Sequence, residues 1–152
     1  MVTLARFCRG RGWSTAAVTN YSAAISASPG DTSLRLEAGQ NLVLLKRDAE
    51  AAGLFAEAVR LSPASAQARH LYGSILGQLG QPMEAEQQFR EALRLEPELL
   101  EARLNLGIAL MSQGRATEAL VYLEEVLRVS PTNELAMKYA RSLRAKAAGA
   151  VP

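Results

Sequence analysis

The sequence is short of the residues on which most reactive chemistry depends. One cysteine, Cys8, and one histidine, His70, occur in 152 residues. A lone thiol can neither close an internal disulfide nor hold zinc, and a lone imidazole leaves a metal ion little besides carboxylates. Neither a metal nor another cofactor is therefore expected. Aromatic residues amount to only 5%, thin for a sheet core and for stacking on bases. Apolar runs last only a few residues, which excludes the length of a membrane span. Met1 to Ala17 carries Arg6, Arg9 and Arg11 but no apolar segment of signal-peptide length, and a cytoplasmic location is the matching expectation. No segment alternates at period two over a useful length, so strands are not expected. What is present in ordinary amount is 49% hydrophobic and 21% charged residues, enough for one compact domain or a short repeat array.

The net charge of +2 hides an uneven distribution. Residues 1–30 hold three arginines and no acid, and residues 135–152 hold Lys138, Arg141, Arg144 and Lys146, again with no acid. Ten basic and fifteen acidic residues lie between, leaving the middle at −5. Basic ends around an acidic body are not the continuous basic stripe of a nucleic-acid binder, so no nucleic acid is expected as a partner.

What the chain does have is a period. Pro29, Pro63, Pro97 and Pro131 follow one another at a single constant interval. In the same register stand Tyr21, Phe55, Phe89 and Leu123; Ala24, Ala58, Ala92 and Val126; and Ala17, Ala51, Ala85 and Ala119. A further column reads Ala5, Gly39, Gly73 and Gly107. Each unit predicts two helices. In the third, Ala66 to Leu79 forms the first helix, Gly80-Gln81-Pro82 breaks it, and the second runs from Pro82 to Leu95, stopping before Pro97. Ala85, Phe89, Ala92 and Leu93 recur at three- and four-residue spacing and mark one apolar face.

With these residues in place the chain resembles the tetratricopeptide repeat (TPR), a helix–turn–helix unit whose length equals the proline interval. Tyr72-Gly73, Ala85, Phe89, Ala92 and Pro97 match in the third unit, and Leu106-Gly107, Gly114, Ala119 and Pro131 in the fourth. Gly39, Ala51, Phe55, Ala58 and Pro63 match in the second. The resemblance implies an all-α, right-handed α-solenoid: units at about 1–31, 32–65, 66–99 and 100–133, a capping helix over 134–147, and a frayed tail over 148–152. Three departures stand out. Arg35, Arg69 and Arg103 replace the tryptophan that often opens the first helix; Lys46 takes a turn glycine's place; and Gly10-Arg11-Gly12 ends the first unit's leading helix early. In the last helix Arg141 and Arg144 occupy the columns of Gly107 and Leu110, where buried guanidinium groups would be costly, so that helix reads as a solvating cap.

Catalysis has little to stand on. His70 and Ser74, four apart, share a helix face, but no acid is placed in sequence to orient the imidazole. Cys8 falls in the column of Leu42, Leu76 and Leu110 and reads as a packing thiol. The chain is therefore read as non-enzymatic. By resemblance, a groove lined by first helices holds a protein or peptide partner. Arg6 and Arg9 would come from the first unit. Ser33, Leu36, Gln40 and Val43 would come from the second, and Gln67, His70, Ser74 and Gln78 from the third. The fourth would add Glu101, Leu104, Asn105, Ile108 and Met111, and the cap Lys138 and Ser142. Of the lysine, arginine and asparagine set with which such arrays hold chaperone carboxylate tails, only Asn105 is present, which argues against that ligand. Leu104, Ile108 and Met111 form an i, i+4, i+7 stripe that either packs within the array or anchors a partner. Two other roles remain open: a spacer or self-associating part of a longer array, with contact through the amino-terminal end, and the TPR part of a larger enzyme such as a glycosyltransferase.

Overall fold

The computed structural model describes residues 14–149. In chain order the helices are α1 (Ser14–Ala27), α2 (Thr32–Leu44), α3 (Asp48–Leu61) and α4 (Ala66–Gln78). They continue as α5 (Pro82–Leu95), α6 (Leu100–Ser112), α7 (Ala116–Val129) and α8 (Glu134–Gly149), and no strand occurs among the described residues. Two boundaries differ from the sequence pattern. The third unit's first helix stops at Gln78, because Leu79 already turns toward a left-handed Gly80, and the last helix continues to Gly149, beyond the expected start of a frayed tail. Arg6, Cys8, Arg9, Trp13 and Gly10-Arg11-Gly12 lie outside the described residues, as do 150–152.

Local chemistry sets the helix ends. Asp31 Oδ1, Ser65 Oγ and Asn133 Oδ1 accept from the backbone N–H groups of Leu34, Ala68 and Ala136 at 3.2, 3.1 and 2.9 Å, capping α2, α4 and α8. Leu99, in the same column, caps nothing. Among the described residues, each turn between paired helices passes through a left-handed residue: Lys46, Gly80 and Gly114 at φ 60°, 75° and 79°. The next N–H groups, of Arg47, Gln81 and Arg115, return to the carbonyls of Leu42, Leu76 and Leu110 at 3.0, 2.9 and 3.0 Å, closing the helix ends in the Schellman manner. Glu50, Glu84 and Glu118 stand in the first turns of α3, α5 and α7, and Arg60, Arg94 and Arg128 in the last, complementing the helix dipoles.

Pairing rests on the glycine and aromatic columns. A Cβ at Gly39 would stand 2.5 Å from the Phe55 ring, one at Gly73 2.8 Å from Phe89, and one at Gly107 3.1 Å from Leu123. Only a missing side chain lets these helices approach so closely. The core runs as a ribbon through the stack: Leu36, Phe55 and Ile75 lead one cluster, Phe89, Leu110 and Leu123 the next, and Tyr72 packs against both. Within it Asn41 is fully buried, and neither its Nδ2 nor its Oδ1 has a hydrogen-bond partner among the described residues.

The three arginines that depart from the repeat pattern tie the pairs together. Arg35, with its side chain 7% exposed, pairs with Glu57 at 2.7 Å and donates to the Asp31 carbonyl at 3.1 Å. Arg69 donates to the Pro63 carbonyl at 2.9 Å and to Gln88 at 3.3 Å, while Arg103 donates to the Pro97 carbonyl and pairs with Glu125 at 3.6 Å. A near-buried guanidinium is tolerable because the carboxylate and the carbonyl together replace its water. Arg141 and Arg144 lie exposed on α8, Arg144 paired with Glu124 at 2.6 Å.

Candidate functional site

The first helices of successive pairs, α2, α4 and α6, bound two adjoining cavities. One, of about 170 Å³, is lined by Gln40 and Val43 of α2, Phe55 of α3, and Leu71, Ser74, Ile75 and Gln78 of α4. The other, of about 330 Å³, is lined by Ser74, Gly77 and Gln78 of α4, Pro82 and Phe89 of α5, and Asn105, Ile108, Ala109 and Ser112 of α6. Ser74 and Gln78 belong to both, so the two form a continuous groove across α4. Its walls carry amides and hydroxyls, its floor is apolar, and no lining side chain bears a formal charge.

A small polar network fixes one wall. Asn105 Nδ2 lies 3.1 Å from His70 Nε2 and donates to Ser74 Oγ at 3.3 Å, while Ser74 Oγ donates to the His70 carbonyl at 2.9 Å. With the ring proton assigned to Nδ1, His70 Nε2 accepts from the Asn105 amide. Burial holds the His70 pKa below its usual value, outweighing the opposite pull of Glu101. The ring also sits 6.1 Å from that of Phe89, tilted by 45°. This geometry differs from a base and nucleophile pair: the Ser74 hydrogen goes to a backbone carbonyl, and the imidazole faces an amide.

Of the residues singled out from sequence, Gln40, Val43, Ser74, Gln78, Asn105 and Ile108 line the groove, and His70 braces it from behind. Leu36 and Leu104 do not. Each is buried in a core cluster, at 8% and 9% exposure, because first helices are packed from several sides. Met111 is half-buried against that core, while Gln67 and Lys138 are exposed away from both cavities, the Lys138 ammonium 5.8 Å above the Tyr139 ring. Arg6 and Arg9 fall outside the described residues. Sequence reasoning missed Leu71, Ile75 and Ser112, although Ser112 stands one repeat period after Gln78. Phe55 and Phe89, expected only as packing between units, also form the groove floor.

Among the described residues, no three His, Cys, Asp or Glu side chains are grouped to hold a metal ion, and no helix is long and apolar enough to cross a membrane.

Residues 36–149 match the family model of the cilia and flagella-associated protein 70 middle TPR-like domain. No curated protein matches the sequence. Among solved structures the fold is similar to that of MamA, with TM-score 0.87 and 20% identity over 97% of this chain and 84% of that one. It is similar also to YrrB, a TPR protein with an unusual peptide-binding site, at TM-score 0.84 and 23% identity over 98% and 77% of the two chains. A third, the first TPR of Spaghetti bound to the HSP90 peptide SRMEEVD, gives TM-score 0.75 and 20% identity over 77% and 93%.

Proposed function

Because the chain belongs to the tetratricopeptide-repeat family, we propose that it is a non-enzymatic scaffold that holds a segment of a partner protein in the groove across α2, α4 and α6. The observation that carries this is the groove's chemistry. Side-chain amides and hydroxyls at Gln40, Ser74, Gln78, Asn105 and Ser112 stand over an apolar floor of Val43, Phe55, Ile75, Phe89 and Ile108. Uncharged donors and acceptors of this kind satisfy the peptide backbone of an extended segment, and the floor takes small apolar side chains. The peptide held by Spaghetti contains acidic residues; a groove without a cation does not suit such a ligand, and the partner segment is neutral where it crosses α4. Two or three anchored apolar side chains contribute about 1 kcal/mol each if half-buried, and after ordering costs the affinity is on the order of micromolar.

Gln78 is exposed and borders both cavities, so Gln40→Arg with Gln78→Arg should charge the groove without disturbing the fold. The test is affinity purification with quantitative mass spectrometry on the natural chain and this variant, after circular dichroism shows equal helicity. A synthetic peptide from the protein lost most selectively is then titrated against both. Selective loss with direct peptide binding supports groove recognition. An unchanged set of partners refutes it, and recovery of only further copies of the chain would point to self-association.

A further inference from the structure

The carboxyl-terminal end presents a second surface, independent of the groove. α8 occupies the register of a first helix: Ala136 and Ala140 stand one repeat period after Ala102 and Leu106, and all four are buried. Among the described residues the earlier first helices α2, α4 and α6 are each covered by the second helix of their own pair, whereas α8 packs mainly on α7. The flank left over carries a cavity of about 550 Å³ lined by Leu127, Met137, Ala140, Arg141, Arg144, Ala145 and Ala148. Met137, Arg141, Arg144 and Ala148 lie at i, i+4, i+7 and i+11, a single stripe along the helix. It spans about 16 Å at the α-helical rise, the length of three turns of a partner helix.

Charge identifies the occupant. After Glu134, α8 carries Lys138, Arg141, Arg144 and Lys146 with no acid among them. Arg144 is already paired with Glu124, while Arg141 is exposed with no carboxylate paired to it among the described residues. In two of the three earlier pairs the arginine of the first helix is answered by a carboxylate on the second, Arg35 by Glu57 and Arg103 by Glu125, while Arg69 meets Gln88 instead. Arg141 stands where Gly39, Gly73 and Gly107 admit the aromatic or leucine of a second helix, so a helix docking here rides farther out and meets guanidinium groups at its flank. A second copy docking through its own α8 is disfavoured, because both faces would carry Lys138, Arg141, Arg144 and Lys146 with no acid after Glu134. An anionic bilayer fits the charge but not the shape: the floor is recessed, with Ala140 at 1% exposure, and a flat surface would meet only the rim.

We propose that the outer face of α8, floored by Leu127 and Ala140 and rimmed by Met137, Arg141, Arg144 and Ala145, docks an acidic amphipathic helix of a partner protein. The contact is salt-sensitive, and its partner differs from the neutral segment held in the groove.

The probe is a fluorescent synthetic helix of Glu, Leu and Ala, about 16 residues long to match α8, with a control in which Lys replaces every Glu. Anisotropy titrations should show saturable binding of the acidic probe, weakened severalfold by raising the salt from about 50 to about 300 mM. Arg141→Glu, at an exposed position, should weaken it about tenfold, roughly the effect expected of reversing one interfacial charge. Ala145→Glu, which places a carboxylate at an exposed position lining the same cavity, should weaken it at least as much, while Arg60→Gln, which removes an exposed cation on α3, should leave it unchanged. Equal binding of both probes, or indifference to Arg141→Glu and Ala145→Glu in folded protein, overturns the proposal. So does Arg141-dependent sedimentation with phosphatidylserine vesicles in the absence of probe binding, or Arg141-dependent dimerisation of the chain itself.

Discussion

Replacing Asn41 by leucine should stabilise the array. Asn41 is fully buried, and both polar atoms of its side chain lack a partner among the described residues. A buried, unsatisfied polar group costs about 1–3 kcal/mol relative to a satisfied one. The same column holds Ile75, Ala109 and Leu143, one repeat period apart and each buried, so the fold accepts an aliphatic side chain there. Leucine has the branching of asparagine; it removes the orphaned amide and adds apolar burial worth about 1.5–3 kcal/mol, against a crowding cost of about 1 kcal/mol or more for its larger methyl groups. The net gain should be about 2 kcal/mol, which for a chain of this length raises Tm by roughly 4–8 °C. Asn41→Ala, which removes the amide but leaves a void, should lie near the natural protein. Because repeat arrays unfold unit by unit, the melt should be read with hydrogen exchange, and added protection should concentrate in α2, α3 and α4. A lower Tm for Asn41→Leu would refute the reasoning, since it would mean that the amide is satisfied in solution.

The glycine column gives a graded series. Gly39→Ala and Gly73→Ala should each cost about 1–2 kcal/mol, because the new methyl would stand 2.5 and 2.8 Å from an aromatic ring and the strain exceeds the helix-propensity gain. Gly107→Ala, 3.1 Å from a leucine that can shift, should be within about 1 kcal/mol of neutral; urea denaturation ranks the three, and a reversed order would contradict the packing account. Lys46→Gly should stabilise by about 1 kcal/mol, since Lys46 alone holds with a side chain the left-handed turn that Gly80 and Gly114 hold freely. Any loss of Tm in that variant would show that the lysine makes a contact worth more than its strain. The single His70 gives one imidazole resonance, which should titrate below the usual histidine range, its folded pKa depressed by burial. The unfolded chain then binds the proton more readily, so this contribution is present above the unfolded pKa of 6.5 and is lost as pH falls below it. His70→Gln should flatten the stability slope between about pH 7 and 5, and an unshifted NMR titration would remove the basis for this.

The periodic part of the fold was legible in the sequence because it rests on near neighbours. Small residues and rings recurring in register specify which helices pair, and the left-handed turn shows as Gly80 and Gly114. The arginine column was legible only as a departure. Arg35 and Arg103 find Glu57 and Glu125 on the following helix, a separation that no helical period connects. The column of Glu57, Glu91 and Glu125 recurs at the repeat period and could have revealed it. Leu104 was misplaced for a different reason. An i, i+4, i+7 stripe on a one-sided helix would be a free face, but first helices are enclosed on several sides. α6 buries Ala102, Leu104, Leu106, Gly107, Ala109 and Leu110, whereas α7 buries only Ala119, Leu123 and Val126. An apolar stripe on a first helix of this array is therefore core unless a cavity opens onto it.

That enclosure also limits how the groove can discriminate. With so much of α2, α4 and α6 buried, the side chains that each leaves incompletely buried in the groove form a narrow strip: Gln40 and Val43; Leu71, Ser74 and Gln78; Asn105, Ile108 and Ser112. Successive members of a strip are three or four residues apart, one incompletely buried position per turn, and of them only Gln78 and Ser112 are exposed. Because Asn105 and Ser74 are already engaged with each other and with His70, the side chains freest to meet a ligand are the glutamines. In the proposed mode of binding, changing the amide at Gln78, which with Ser74 lines both cavities, alters a position that an extended segment passes whichever end it enters from. If the groove holds a segment as proposed, its specificity comes less from many contacts than from keeping that crossing free of charge.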